Sequence, residues 1–241
     1  MDLRIAHLYP DLMNIYGDRG NVIALSQRAK WRGIDVAVRP YSVGEWADQD
    51  WPDIWFFGGG QDQGQDIVGA DLAGKNGAAL KKSVEGGAAI FSVCGGYQLL
   101  GHEYVPETGP SIPGVGILDV TTHAGKTRFV GNLLVNAPEA YLIGFENHSG
   151  RTHLGSSAKP LGTVVVGNGN NGEDKTEGAV QGKVIGCYLH GSCLPKNPWL
   201  ADRLLGWALA RRHNDLKLAP LDDAAEKSAR DQATEVARTR P

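Results

Sequence analysis

The chain has 241 residues, with 24 lysines and arginines against 27 aspartates and glutamates, a net charge of -3 at pH 7. That balance gives no electrostatic footprint for nucleic acid or for an anionic membrane surface, and no apolar run approaches the roughly 20 residues that span a bilayer. Met1-Asp-Leu-Arg-Ile5 lacks the basic-then-apolar layout of a signal peptide, and three cysteines, an odd number, give no disulfide framework; a cytoplasmic, non-spanning protein is expected.

Short apolar runs alternate with helical patterns and are punctuated by glycine and proline, the rhythm of an α/β protein. Leu3 to Tyr9 reads as a first strand, Asn21 to Trp31 as a helix, Asp35 to Val38 as a second strand, and Asp53 to Phe57 as a third that runs into Gly58-Gly59-Gly60. Ala70 to Glu85 reads as a helix with Gly86-Gly87 past its end, where glycine can take the left-handed cap conformation. Ala88 to Val93 is the strand that delivers Cys94. Beyond Leu100 the pattern becomes shorter and more strand-like, at Gly116 to Thr122, Thr127 to Leu134, Leu142 to Glu146 and Gly162 to Val166. Gly167-Asn-Gly-Asn-Asn-Gly172 reads as a flexible connection that cannot hold a packed element. Val184 to Leu189 is a last buried strand ending at His190-Gly191, and Trp199 to Arg212 is a closing amphipathic helix. The expectation is a doubly wound, mostly parallel sheet flanked by helices in residues 1–213. Residues 214–241 form a charged tail, either a solvated helix or disorder.

Cys94 stands where an apolar strand ends and a glycine pair opens a helical pattern (Tyr97, Leu99, Leu100). That is the layout of a nucleophile elbow, which lifts a side chain off the sheet beside free backbone N–H groups. A thiol there can attack a carbonyl and form an acyl-enzyme; the plainer alternative is a buried packing cysteine. In doubly wound folds ligands bind beyond the carboxyl ends of the strands. Gly58-Gly-Gly-Gln-Asp62, Cys94-Gly-Gly and His190-Gly each follow a strand. Their convergence would put an imidazole beside the thiol, as base and then as acid.

Phe57-Gly-Gly-Gly-Gln-Asp62, Cys94-Gly-Gly-Tyr-Gln98 and Tyr188-Leu-His-Gly191 together resemble the class I glutamine amidotransferases of the CobB/CobQ-like branch, over about Leu3 to Arg212. Within that branch, Leu8-Tyr-Pro-Asp-Leu-Met-Asn-Ile-Tyr-Gly-Asp-Arg-Gly-Asn21 and Glu146-Asn-His-Ser-Gly-Arg-Thr152 look like the GatD group of glutaminase subunits of lipid II isoglutaminyl synthases. The resemblance implies a flavodoxin-like sheet and a chain that hydrolyses L-glutamine. It also implies a heterodimer with a MurT-like synthetase of the Mur-ligase family. That partner would hold ATP and Mg and amidate the D-glutamate α-carboxylate of lipid II. No cofactor is expected in this chain, and Gly58-Gly-Gly is not a Walker loop, because no Gly-Lys-Ser/Thr follows.

Carried over by position, Cys94 is the nucleophile and His190 the general acid-base, with Gly95 and Gly60 giving the oxyanion-hole N–H groups. Gln98 contacts bound glutamine, Arg128 binds its α-carboxylate as a bidentate fork, and Asn147, His148 and Ser149 line the same pocket. Turn chemistry at Asn147 to Ser149, and an exposed edge charge at Arg128, are the plainer readings. Many class I amidotransferases carry a glutamate two residues after the histidine; here that position is Ser192. The expectation is therefore that the partner supplies a carboxylate in trans. No metal site is expected, because Cys187-x2-His190-x2-Cys193 lacks a fourth ligand. An acceptor of the cobyrinic or cobyric acid type, a free-standing cysteine hydrolase and a non-catalytic regulator are the remaining readings.

Overall fold

The computed structural model describes residues 1–46, 48–190, 192–213 and 217–239; Gly191 of the predicted site loop and tail positions 214–216 and 240–241 lie outside the described residues. In chain order the first half holds β1 (Asp2–Leu8), α1 (Arg19–Lys30), β2 (Asp35–Tyr41), β3 (Ile54–Phe57), α2 (Asp62–Leu72), α3 (Lys75–Glu85), β4 (Ala89–Val93) and α4 (Gly95–Leu100). The second half holds β5 (Glu103–Val105), β6 (Ile112–Pro113), β7 (Val120–Asn136), β8 (Tyr141–Leu154), β9 (Gly162–Val166), β10 (Thr176–Glu177), β11 (Ala179–Gln181), β12 (Val184–Cys187), α5 (Cys193–Lys196), α6 (Pro198–Leu209) and α7 (Ala224–Thr239).

The first sheet has the order β11-β12-β4-β3-β1-β2 and is parallel except for β11 at its edge. Its central strands are apolar on both faces: Ile54-Trp-Phe-Phe57 and Ala89-Ile-Phe-Ser-Val93 are buried throughout, as strands covered by helices on both sides must be. A second sheet runs β10-β9-β7-β5-β6, with β8 also paired to β7. It is mostly antiparallel, and the sequence pattern gives its strands without showing that they form a sheet of their own.

Several boundaries differ from the sequence reading for identifiable reasons. The single helix read over Ala70 to Glu85 is two: Gly74 takes φ -98°, ψ -141° between α2 and α3, and Asn76 Nδ2 bonds Asp71 at 2.8 Å and the Gly44 carbonyl at 2.7 Å, fixing the corner. Gly116 to Leu118 are not strand. The amides of Val115, Gly116, Ile117 and Leu118 donate to the carbonyls of Leu99, Gly101 and Leu100, the groups a helix C-terminus leaves unpaired. The two strands read over Gly116 to Leu134 are one long β7, irregular between Ala124 and Phe129.

The Gly167 to Gly172 segment is packed rather than flexible. Glu146, fully buried, accepts from the Asn168 N–H (2.8 Å), the Asn168 side chain (2.7 Å) and the Gly169 N–H (2.9 Å), and Asn170 bonds the Gly178 backbone at both ends of its amide (3.0 Å each). The tail is helical as α7 and docked. Ala233 and Ala237 pack on Leu134, Ile143 and Val166 of the second sheet, and Asp223 just before the helix joins Asp202 in holding the buried Arg28 guanidinium at 2.6 and 2.7 Å. No helix among the described residues is long and apolar enough to cross a membrane.

At the amino end of β3, Asp53 has no solvent exposure and is held by Arg212 through Nε at 2.8 Å and NH2 at 2.6 Å, and by the Arg4 N–H at 2.9 Å. Removing one partner of a buried pair strands the other charge. Arg212→Ala is expected to cost about 3 kcal/mol, the lower end for such a break because the Arg4 amide remains. The check is the urea midpoint, which should fall at unchanged slope.

Candidate active site

The loops after β3, β4 and β12 leave the first sheet side by side, because Phe57 pairs with Ser92 and Val93 with Cys187. The strand-to-helix turn at Cys94 has φ 50°, ψ -110°. This is a strained conformation for a residue with a Cβ. It is held at both ends: the Cys94 N–H donates to the Cys187 carbonyl at 2.9 Å, and the Cys94 carbonyl accepts from the Gln98 N–H at 2.9 Å. The thiol thus sits at the head of α4.

His190 is fixed by its backbone and by its ring. Its N–H donates to the Phe145 carbonyl at 2.8 Å, and the imidazole lies between the rings of Phe145 (5.7 Å, 27°) and Tyr16 (5.0 Å, 77°). Nδ1 is 3.4 Å from Asp18 Oδ1, and both side chains are fully buried. The other Asp18 oxygen accepts the Gly59 N–H at 2.8 Å. Burial opposes a charged ring here, but the Cys94 sulfur and the Asp18 carboxylate outweigh it and raise His190 to about 10. Its Nε2 is buried.

A carboxylate of this chain, Asp18, therefore faces the imidazole at the place where one from a partner was expected. Ser192, where a glutamate was looked for, has a different task. Its hydroxyl donates to the Gly17 carbonyl at 2.6 Å, and a Cβ on Gly20 would begin 2.0 Å from that oxygen. The serine anchors the loop that presents Asp18. Gly59 lies at the centre of the three groups: a Cβ there would begin 3.0 Å from His190 Cε1, 3.2 Å from Cys94 Cβ and 3.3 Å from Asp18 Oδ2. A Cβ there would need His190, Cys94 and Asp18 each to give by a few tenths of an ångström.

The amides of Gly59 and Gly96 are occupied by Asp18 and by the Gly58 carbonyl. Those of Gly60 and Gly95 make no hydrogen bond among the described residues. They are the donors left for an oxyanion.

A cleft of about 690 Å3 opens beside this centre, lined by Ile15, Tyr16, Gly60, Gln61, Gln63 and Arg128. Arg128 donates through Nε to Asn147 Oδ1 at 2.5 Å and through NH2 to the Asn147 carbonyl at 3.0 Å, and Asn147 Nδ2 donates to the Tyr16 hydroxyl at 2.8 Å. Arg128, Asn147 and Gly60 are thus brought to one place with Cys94, His190 and Gly95 nearby.

The remaining predicted pocket residues are not. Residues 146–152 form part of β8 rather than a loop, and strand alternation sends neighbours to opposite faces: Glu146, His148, Gly150 and Thr152 are buried while Asn147, Ser149 and Arg151 are partly exposed. His148 stacks on Tyr188 at 3.5 Å and bonds the Gly150 carbonyl at 2.9 Å, so it supports the site from beneath. Ser149 lines a different cleft, with Tyr104, Glu107 and Ala124. Gln98 is buried under the elbow, its Nε2 donating to the Tyr188 hydroxyl at 3.1 Å and its Oε1 accepting from Gln65 at 2.7 Å. None of these three is among the residues that line the Arg128 cleft. Cys187 and Cys193 are fully buried side by side, and among the described residues no cluster of His, Cys, Asp and Glu is arranged to hold a metal ion.

Asp18 and Tyr16 are the site residues the sequence reading missed, although both lie in the Leu8 to Asn21 stretch it singled out. The CobB/CobQ-like glutamine amidotransferase domain matches residues 4–198. The chain is 39% identical over 239 residues to the subunit GatD of the glutamine-hydrolysing lipid II isoglutaminyl synthase of Streptococcus pneumoniae, covering 97% of this chain and 91% of that one. It is 40% identical over 230 residues to the corresponding Staphylococcus aureus subunit, covering 95% and 93%. Among solved structures, a glutamine amidotransferase superposes with a TM-score of 0.57 at 17% identity, covering 84% of this chain and 98% of that one, a likeness of fold.

Proposed function

This chain belongs to the CobB/CobQ-like glutamine amidotransferase domain family, and we propose that it is the glutaminase subunit of a lipid II isoglutaminyl synthase. The observation that carries this reading is the closure of Cys94, His190 and Asp18 around the Gly59 backbone, beside a cleft whose cation is Arg128. Near-full-length similarity to two such subunits supports the acceptor class.

Glutamine binds with its α-carboxylate on the Arg128 guanidinium, a planar fork matched to a planar anion. The proton shared by Cys94 and His190 rests on the imidazole, which is raised to about 10, and the sulfur attacks the side-chain amide carbon. The carbonyl electron pair moves onto oxygen, where the Gly60 and Gly95 amides receive it. The intermediate collapses as the C–N bond breaks and His190 gives its proton to the departing nitrogen, leaving ammonia and a glutamyl thioester. Water, deprotonated by His190, then attacks the thioester carbon; glutamate leaves and the thiol recovers its proton. Asp18 keeps the ring oriented and its charge balanced through both halves. Ammonia passes to a MurT-like synthetase of the Mur-ligase family, which spends ATP with Mg to activate the D-glutamate α-carboxylate of the lipid II stem peptide.

A diazo-ketone analogue of glutamine tests the assignment in the native complex. It should add its mass to Cys94 alone, since Cys187 and Cys193 are fully buried, and should abolish amidation driven by glutamine while ammonium still drives it. Labelling elsewhere, or loss of both activities together, would overturn the reading.

A further inference from the structure

The cleft that holds Arg128 contains neither Cys94 nor His190. Cys94 is 6% exposed and His190 not at all, so the pair that must handle the transferred proton is closed off from the cleft. Beside the Gly60 backbone, a side chain bridges the two places. Tyr16 lines the cleft, and its ring meets His190 edge-on at 5.0 Å and Phe145 at 5.6 Å. It is held there against its backbone preference, with φ 54° and ψ 24° in the left-handed region. What holds its other end is the hydroxyl, which accepts from Asn147, and Asn147 in turn accepts twice from Arg128. Arg128, the cation assigned to the substrate carboxylate, thus gives its Nε–NH2 edge to the residue that tethers Tyr16.

We infer that Tyr16 is a gate between the Arg128 cleft and the Cys94–His190 pair, and that the substrate α-carboxylate opens it by drawing Arg128 away from Asn147. The inference rests on the reading of Arg128 as the carboxylate site. Asn147 occupies the Nε–NH2 edge of Arg128, and a carboxylate that takes this edge displaces it. When the carboxylate takes the fork, Asn147 loses its anchor, the Tyr16 hydroxyl loses an ordered donor, and the strained backbone can relax and swing the ring off His190. The amide end of the same glutamine then has a path to the sulfur. A ligand without an α-carboxylate leaves the gate shut, so the thiol is offered only to a molecule that has already been recognised at its other end.

The test uses the complex of the full chain with its synthetase and two single variants, Tyr16→Phe and Arg128→Ala. With no glutamine present, Cys94 is alkylated with iodoacetamide and the modified peptide is followed by mass. Tyr16→Phe keeps the ring and removes the hydroxyl. It should raise the alkylation rate about fivefold, the share of one neutral hydrogen bond, and should lower KM for glutamine by a similar factor with a smaller change in kcat, because less of the binding energy goes into opening. Arg128→Ala should raise alkylation as much, and the double variant no more than either single, since both release one tether. Native alkylation rates in Tyr16→Phe, or an unchanged KM, overturn the gate. Arg128→Ala judges the underlying reading separately: an unaltered KM for glutamine there removes the carboxylate assignment, whatever the alkylation rates show.

Discussion

Cys94→Ala should abolish glutamine-dependent amidation, by about 10⁴-fold or more, and leave ammonium-dependent amidation within about twofold of native. Alanine keeps the Cβ, so the turn at φ 50° is no more strained than before, and only the sulfur is lost. The elbow's other supports, the Cys187 carbonyl and the Gln98 amide, are backbone contacts that the substitution does not touch. A thioester cannot form without the sulfur, and no other thiol can stand in for it, because Cys187 and Cys193 are fully buried. Ammonium enters after this step, so its use reports on the synthetase and on the integrity of the complex. Retained glutamine use by the variant would remove Cys94 as nucleophile. Loss of ammonium use as well would mean that the chain acts structurally in the assembly.

The parts of this site that could be read from the sequence are those encoded locally. Ala88 to Val93 followed by Cys94-Gly-Gly announces a buried strand, a tight turn and a helix within a few residues, and the loops after β3 and β12 carry the same strand-to-glycine signature. Asp18 has no such signature. Its partner His190 is 172 positions away, and it reaches the imidazole because the Gly17 to Gly20 loop is tied down by Ser192, a residue that looked like the absence of an acid.

Adjacency in sequence misled in the opposite direction at Asn147-His-Ser149. A strand places consecutive side chains on opposite faces, so only Asn147 of the three reaches Arg128 and Tyr16. Composition misled at two further points. Gly167 to Gly172 lacks apolar residues but is ordered by polar contacts, three of them to the buried carboxylate of Glu146. The tail lacks large apolar residues, yet Ala233 and Ala237, one turn apart on α7, suffice to seat it on Leu134 and Ile143.

If the acid of this site is Asp18, then Asp18→Asn should lower kcat/KM for glutamine by about 10² to 10⁴-fold with the fold retained. Asparagine has the same shape but only one acceptor atom. It can serve the Gly59 N–H or the His190 Nδ1 proton, and its NH2 group facing Nδ1 would favour the tautomer whose Nε2 already carries a proton and cannot take one from sulfur. The charge change gives a second, independent readout. In the native chain His190 is raised from an ordinary 6.5 to about 10, against the penalty of burial, by the Cys94 sulfur and the Asp18 carboxylate. A group raised on folding contributes stability that is complete below its unfolded value and is lost as pH climbs through the folded value. The native urea midpoint should therefore fall between about pH 6.5 and pH 10, and in Asp18→Asn that fall should be shallower and shifted to lower pH. The alkaline limb of kcat/KM should move in the same direction, because the ring holds its proton less tightly once the carboxylate is gone. A variant with near-native activity and an unmoved alkaline limb would place the acid on the synthetase, and Asp18 would then be a loop residue whose work is the Gly59 amide alone.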